Sequence, residues 1–169
     1  MADEKNTKHN TAIYDDILKK AHEFLEEAEK EYGPKIHYAI DAAKDKIADL
    51  EEYTVEEVEK IGEYLKRDLQ DAARFSGELK DWLSFETALI ENHLLGAFSV
   101  MVDHTREQLN QFEAQARQFG EWRTGEITSF GTLICKSCGE VLHFHKSGHI
   151  PPCPKCQGST WRRPNDAED

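Results

Sequence analysis

The sequence predicts a mainly α fold, with long helices forming hairpins or a coiled-coil-like bundle, followed by a small β unit at the C-terminal end. Three observations carry this. Between residues 11 and 120 apolar side chains recur every three or four positions, the period of a helix with one buried stripe. After Gly120 that period stops, and β-prone residues punctuated by glycine take over, among them Trp122, Thr124, Ile127, Thr128, Phe130, Leu133 and Ile134. All four cysteines fall in this last part, as two Cys-x-x-Cys pairs.

The elements follow in chain order. Met1 to Asn10 is polar, carries no stripe and lacks the apolar centre of a secretory signal, so residues 1–10 are predicted to be disordered. Ile13, Ile17, Ala21, Phe24, Ala28 and Tyr32 draw the first helix, which Gly33-Pro34 ends. Ile36, Ile40, Ala43, Ile47 and Leu50 draw the second. Thr54-Val55-Glu56-Glu57 has the form of a capping box, which starts a third helix at Val55. That helix carries Val58, Ile61, Leu65, Leu69, Ala72, Phe75, Leu79 and Trp82 and continues toward Ile90 and Leu94, with a break expected near Gly77 or Gly96. A last helical stretch carries Met101, Leu109, Phe112, Ala116 and Phe119 and stops at Gly120. The resulting division is an acidic helical domain at 11–120, a β unit at 121–164 and a disordered tail at 165–169. Narrow stripes on long helices leave room for homo-oligomerisation through the helices.

The chain has 33 acidic and 21 basic residues, a net charge of -12. Residues 11–120 hold 25 of the acids and 13 of the bases, while 121–169 hold six of each. An acidic helical region repels a phosphate backbone, so any nucleic-acid contact has to come from the β unit. The longest apolar stretch, Leu94 to Val102, is interrupted by Gly96 and Ser99 and is far short of the roughly 20 residues a membrane helix needs. No membrane role is expected.

Cys135, Cys138, Cys153 and Cys156 form Cys-x-x-Cys, a gap of fourteen residues, and Cys-x-x-Cys again. Each pair can clamp one side of a tetrahedral ion, so the β unit reads as a zinc ribbon with one structural zinc per chain. Gly139 after the first pair permits a tight turn, and Pro152 and Pro154 stiffen the second. In a reducing cytoplasm such pairs bind metal rather than form disulfides. His143, His145 and His149 lie in the gap and read as hairpin residues, because four cysteines already complete the site. The ribbon is too small for a core of its own, so the helices are expected to fold without the metal.

Four thiolates leave a zinc ion no open position for substrate, and other catalytic patterns are missing. A helical region before paired cysteines resembles rubrerythrin in outline, but a di-iron bundle needs Glu-x-x-His pairs. The residues three before His22, His37, His93 and His104 are Lys19, Pro34, Ile90 and Met101. There is no Gly-x-Ser-x-Gly elbow, no phosphate-binding Gly-x-x-x-x-Gly-Lys loop and no spare cysteine. His22-Glu23 and Asp103-His104 read as exposed helix residues. The expectation is a protein that is not an enzyme.

The segments Gly125-Glu126-Ile127, Gly131-Thr132-Leu133-Ile134-Cys135, Cys138-Gly139, Pro151-Pro152-Cys153-Pro154-Lys155-Cys156 and Trp161-Arg162-Arg163-Pro164 resemble a family of small bacterial zinc-ribbon-containing proteins. The resemblance reaches back through Tyr53-Thr54-Val55-Glu56-Glu57 and Leu65-Lys66-Arg67-Asp68-Leu69. It implies a cytoplasmic zinc protein with the four cysteines as ligands, and it implies no reaction. The expected role is a protein-interaction adaptor or regulator, with Trp161, Arg162 and Arg163 as partner-binding residues, since an aromatic beside arginines suits an interface. The alternative is a nucleic-acid-binding regulator using Lys136, Lys146, Lys155, Arg162 and Arg163, with Trp161 to stack on a base. Zinc with four thiolates adds a further charge of -2 to a neutral ribbon, which weakens that alternative. A rubredoxin-like iron electron carrier would place iron in the same sulfurs.

Overall fold

The computed structural model describes residues 2–28, 36–50, 52–75, 78–85, 87–107 and 121–164. Five α-helices occur among them, and α1 (Ala2–Ala28) is the longest. It starts at Ala2, within the segment 1–10 expected to be disordered. A polar segment without a stripe still orders where the body supplies partners, and here it does: His9 Nε2 lies 3.3 Å from Glu57 Oε2, the His9 ring meets Tyr53 edge-on, and Asn10 Nδ2 lies 3.3 Å from His149 Nε2. Further along α1, Ile13, Tyr14, Ile17, Leu18, Ala21 and Leu25 turn inward.

Helix α2 (Ile36–Asp49) buries Ile40, Ala43 and Ile47, as its spacing predicts. Helix α3 (Val55–Arg74) opens with the expected capping box: the Glu57 N–H donates to Thr54 Oγ1 at 3.1 Å, and the Thr54 N–H donates to Glu57 Oε2 at 3.0 Å. It ends earlier than its stripe suggests. Phe75 takes an extended backbone, φ −67° and ψ 128°, so Leu79 and Trp82 belong to a separate short helix, α4 (Leu79–Leu83). The break therefore falls between Arg74 and Leu79, while Gly96 lies inside α5 (Asn92–Glu107) without interrupting it. Tyr32 and Gly33-Pro34, the stretch from Leu109 to Gly120 and the tail 165–169 lie outside the described residues.

Helix α1 packs on α2, α3 and α5, and α3 packs on α2 and α5, so four helices share one core. Glu52, Glu56 and Glu59 stay exposed on the outside. The β unit has a four-stranded antiparallel sheet in the order β1-β6-β3-β4, from β1 (Trp122–Arg123), β6 (Thr160–Arg162), β3 (Gly131–Cys135) and β4 (Val141–Phe144). A two-stranded ladder joins β2 (Ile127–Thr128) to β5 (Gly148–His149). Trp122, Leu133, Ile150 and Trp161 form a small core here with Cys135 and Cys153.

The boundary near 121 is a change of secondary structure, but the two cores do not divide there. Ile127 and Phe130 belong to the helical core, and the Phe130 ring meets Phe98 of α5 edge-on at 5.0 Å. The β unit thus supplies part of what the helices bury, a packing that bears on the expectation that the helices fold without the metal.

Candidate metal centre

The two cysteine pairs sit on matching knuckles. Strand β3 delivers Cys135, whose carbonyl accepts the Gly139 N–H at 2.9 Å, and Cys153 accepts the Gln157 N–H at the same distance. The residue closing each knuckle adopts a left-handed backbone, Gly139 at φ 82° and Gln157 at φ 66°. The sequence marks the first of these with glycine; the second bears a side chain, which gives no local signal of the turn. Across the sheet Cys135 lies opposite Trp161, which fixes β3 against β6 beside the site.

The four sulfurs lie within 4.8 Å of one another. Cys135 Sγ is 3.6 Å from Cys156 Sγ, and Cys138 Sγ is 3.5 Å from Cys153 Sγ. Four sulfurs about 2.3 Å from a tetrahedral zinc are separated by about 3.8 Å, so the cluster fits that ion. Among the described residues no other group of three or more His, Cys, Asp or Glu gathers in this way. Burial opposes ionisation of Cys135, yet the N–H groups of Cys138 and Ser137 and the adjacent thiols bring it down to about 7. At Cys138 the Glu140 N–H favours the thiolate, but partial desolvation and the three other sulfurs push it up to about 12. Four thiols this close resist losing all their protons together. A divalent cation removes that conflict, which is why the donor set suits a metal.

The other candidate residues fall elsewhere. His143 and His145 are exposed on β4 and the turn after it, both edge-on to Phe85, with His143 Nδ1 2.9 Å from Thr132 Oγ1. Trp161 and Arg163, expected to bind a partner, are fully buried within the chain. Trp161 fills the ribbon core because so small a unit has little else to bury. Arg162 remains half-exposed.

Arg163 enters a buried junction between helices and ribbon. Its guanidinium lies 4.5 Å from the centre of the Trp82 ring and 5.2 Å from that of Trp122. Its Nη2 donates to Thr128 Oγ1 at 2.7 Å and reaches Asp68 Oδ1 at 3.5 Å, and its Nη1 donates to the Thr132 carbonyl. Asp68, fully buried on α3, gathers the Tyr14 hydroxyl at 2.6 Å, the Trp122 indole N–H at 2.8 Å, the Ser129 N–H at 3.0 Å and the Thr128 hydroxyl at 3.2 Å. Arg67 lies beside it and reaches into the β unit, donating to Glu126 Oε1 at 2.7 Å and to the Ile127 carbonyl at 3.0 Å. One carboxylate thus binds α1, α3 and the ribbon together. Gly131 belongs to the same packing: its φ is 134°, and a Cβ there would collide with Nη1 of Arg163. Gly131→Ala is expected to cost about 1–3 kcal/mol from the backbone alone, read by thermal denaturation.

A bundle of helices carrying a four-cysteine β unit is the arrangement of a zinc-ribbon protein, and the chain belongs to the family described as "Zinc-ribbon containing domain", which matches residues 23–165. It is similar to the "Uncharacterized protein YbeL" of Escherichia coli strain K12, at 25% identity over 130 residues, covering 73% of this chain and 79% of that protein. The proteins of the same name in strains O6:H1 and O157:H7 match to the same extent. No solved structure gives a significant match.

Proposed function

We propose that this chain is a non-enzymatic zinc protein of the bacterial cytoplasm, in which one structural zinc holds the ribbon and the ribbon serves as part of a protein-interaction adaptor or regulator. The observation that supports zinc is the closed set of four sulfurs, which leaves a tetrahedral ion no position for water or substrate. No helix of the described residues is long and apolar enough to cross a membrane. A partner surface is expected on exposed parts of the ribbon such as Val141 and Lys155, because Trp161 and Arg163 lie inside. The nucleic-acid alternative is weakened on the same ground: Arg163 is buried, and Lys136 pairs with Glu121 at 2.9 Å.

Metal analysis of protein purified from its native host without added metal is expected to find zinc near one equivalent per chain. A visible iron–thiolate absorption would instead establish the rubredoxin-like alternative. Affinity purification followed by mass spectrometry tests the adaptor role. A protein partner at near-stoichiometric yield is expected; nucleic acid alone would favour the other regulator, and recovery of neither removes the adaptor reading.

A further inference from the structure

The metal centre combines two features that suit it to respond to oxidants. Cys138 and Cys156 are exposed, whereas Cys135 and Cys153 are buried. Two of the sulfur contacts each join an exposed cysteine to a buried one across the two knuckles, Cys156 with Cys135 at 3.6 Å and Cys138 with Cys153 at 3.5 Å, within a cluster whose four sulfurs all lie within 4.8 Å of one another. A disulfide bond is about 2.05 Å long, so each pair closes by about 1.5 Å. Gly158 leaves room on the Cys156 side, where a Cβ would stand 3.1 Å from Cys156 Sγ and 3.2 Å from Cys135 Sγ.

We propose that hydroperoxides convert this centre into two cross-knuckle disulfides, Cys135–Cys156 and Cys138–Cys153, with release of the metal and retention of the fold. This rests on the zinc reading above. The exposed sulfur of Cys156 attacks one peroxide oxygen; the O–O bond breaks, leaving a sulfenic acid and, after proton uptake, a molecule of water. The Cys135 thiolate then attacks the Cys156 sulfur. The S–S bond forms, the S–O bond breaks, and the departing hydroxide takes a proton to become water. Each disulfide gives two electrons to one peroxide, and Cys138 and Cys153 react in the same way. With two of its four sulfurs in a disulfide, the site would no longer hold a tetrahedral ion.

The pairing determines what happens to the rest of the molecule. A metal ion ties the first knuckle to the second, and cross-knuckle disulfides restore that tie covalently. Disulfides within each Cys-x-x-Cys would not. Strand β6 therefore stays against β3, and Arg163, the residue after β6, stays in its place beside Asp68. Oxidation and chelation should give different products: the first a metal-free chain that is still closed, the second a metal-free chain that has lost its ribbon and much of its helical structure.

The test titrates the full, zinc-loaded chain with hydrogen peroxide. Zinc release is followed with a metallochromic dye, linkages by peptide mapping without reductant, and melting by circular dichroism beside chain stripped of metal under reducing conditions. The expected result is loss of the full equivalent of zinc, Cys135–Cys156 and Cys138–Cys153 as the main linkages, and a higher melting temperature than the reduced, stripped chain. Thiol reductant with zinc should restore the starting state. Zinc retained under excess peroxide, linkages mainly within each Cys-x-x-Cys, or a melting temperature no higher than that of the stripped chain would each overturn the proposal. A chain that holds no zinc before peroxide is added would overturn the zinc reading itself, which the starting metal analysis reports separately.

Discussion

Asp68→Ala is expected to destabilise the fold by about 3–5 kcal/mol, because it leaves charged groups buried without their counterion. Arg163 is fully buried and Arg67 nearly so, and both face this carboxylate, as do the donors Tyr14, Trp122, Thr128 and Ser129. Urea denaturation measures the loss, and a change below about 1 kcal/mol would show that the junction is not held by charge. Pairing Asp68→Leu with Arg163→Met should recover part of the loss, since removing both members of a buried pair is far milder than removing one. The pH dependence follows the same group. Burial alone would raise the Asp68 carboxyl, but Arg67, then Arg163, and the hydrogen bonds of Tyr14 and Trp122 outweigh it and hold it below its ordinary value. A depressed carboxyl contributes stability that is present above its unfolded value, about 3.9, and is lost as pH falls through the folded one. Asp68→Asn should therefore flatten the loss of stability of the wild type below about pH 4.

Removing the metal under reducing conditions should have the second large effect, with loss of the ribbon and of much of the helical signal in one transition. Zinc-dependent β units of this size unfold without their ion. In this chain such unfolding would withdraw Ile127 and Phe130 from the helical core and strip Asp68 of four of its partners, Trp122, Thr128, Ser129 and Arg163. Far-ultraviolet circular dichroism during chelation measures this. Helical ellipticity that persists unchanged would restore the picture of a helical domain folding by itself, as the sequence alone suggests.

The parts of the fold legible in the sequence are those written in short-range patterns. The Thr54–Glu57 box, the apolar stripes of α1, α2 and α3, and the Cys-x-x-Cys spacing each need only a few neighbouring residues to be recognised. The junction is not local in that sense, for the chain has 33 acidic residues and nothing near Asp68 says that its partner is Arg163. One signal was present. Asp68 sits three positions after Leu65 and next to Leu69, on the buried stripe of α3, where a charge is out of place unless something answers it. The end of α3 was hidden for a related reason: Phe75 continues the helical spacing, and its extended backbone leaves no mark in residue type.

The order in which the chain is made gives the Asp68 junction a temporal aspect. Asp68 and Arg163 lie 95 positions apart, so at about 5–20 residues per second the carboxylate waits roughly 5–20 s for its last cation to be synthesised. Throughout that interval α1 and α3 can approach each other only by burying a carboxylate that has Arg67 beside it but still lacks Arg163. The nascent helices are thereby discouraged from closing early. The junction is complete only once the far end of the ribbon has been made, so a chain halted before Arg163 is expected to be cut by proteases faster than the full chain.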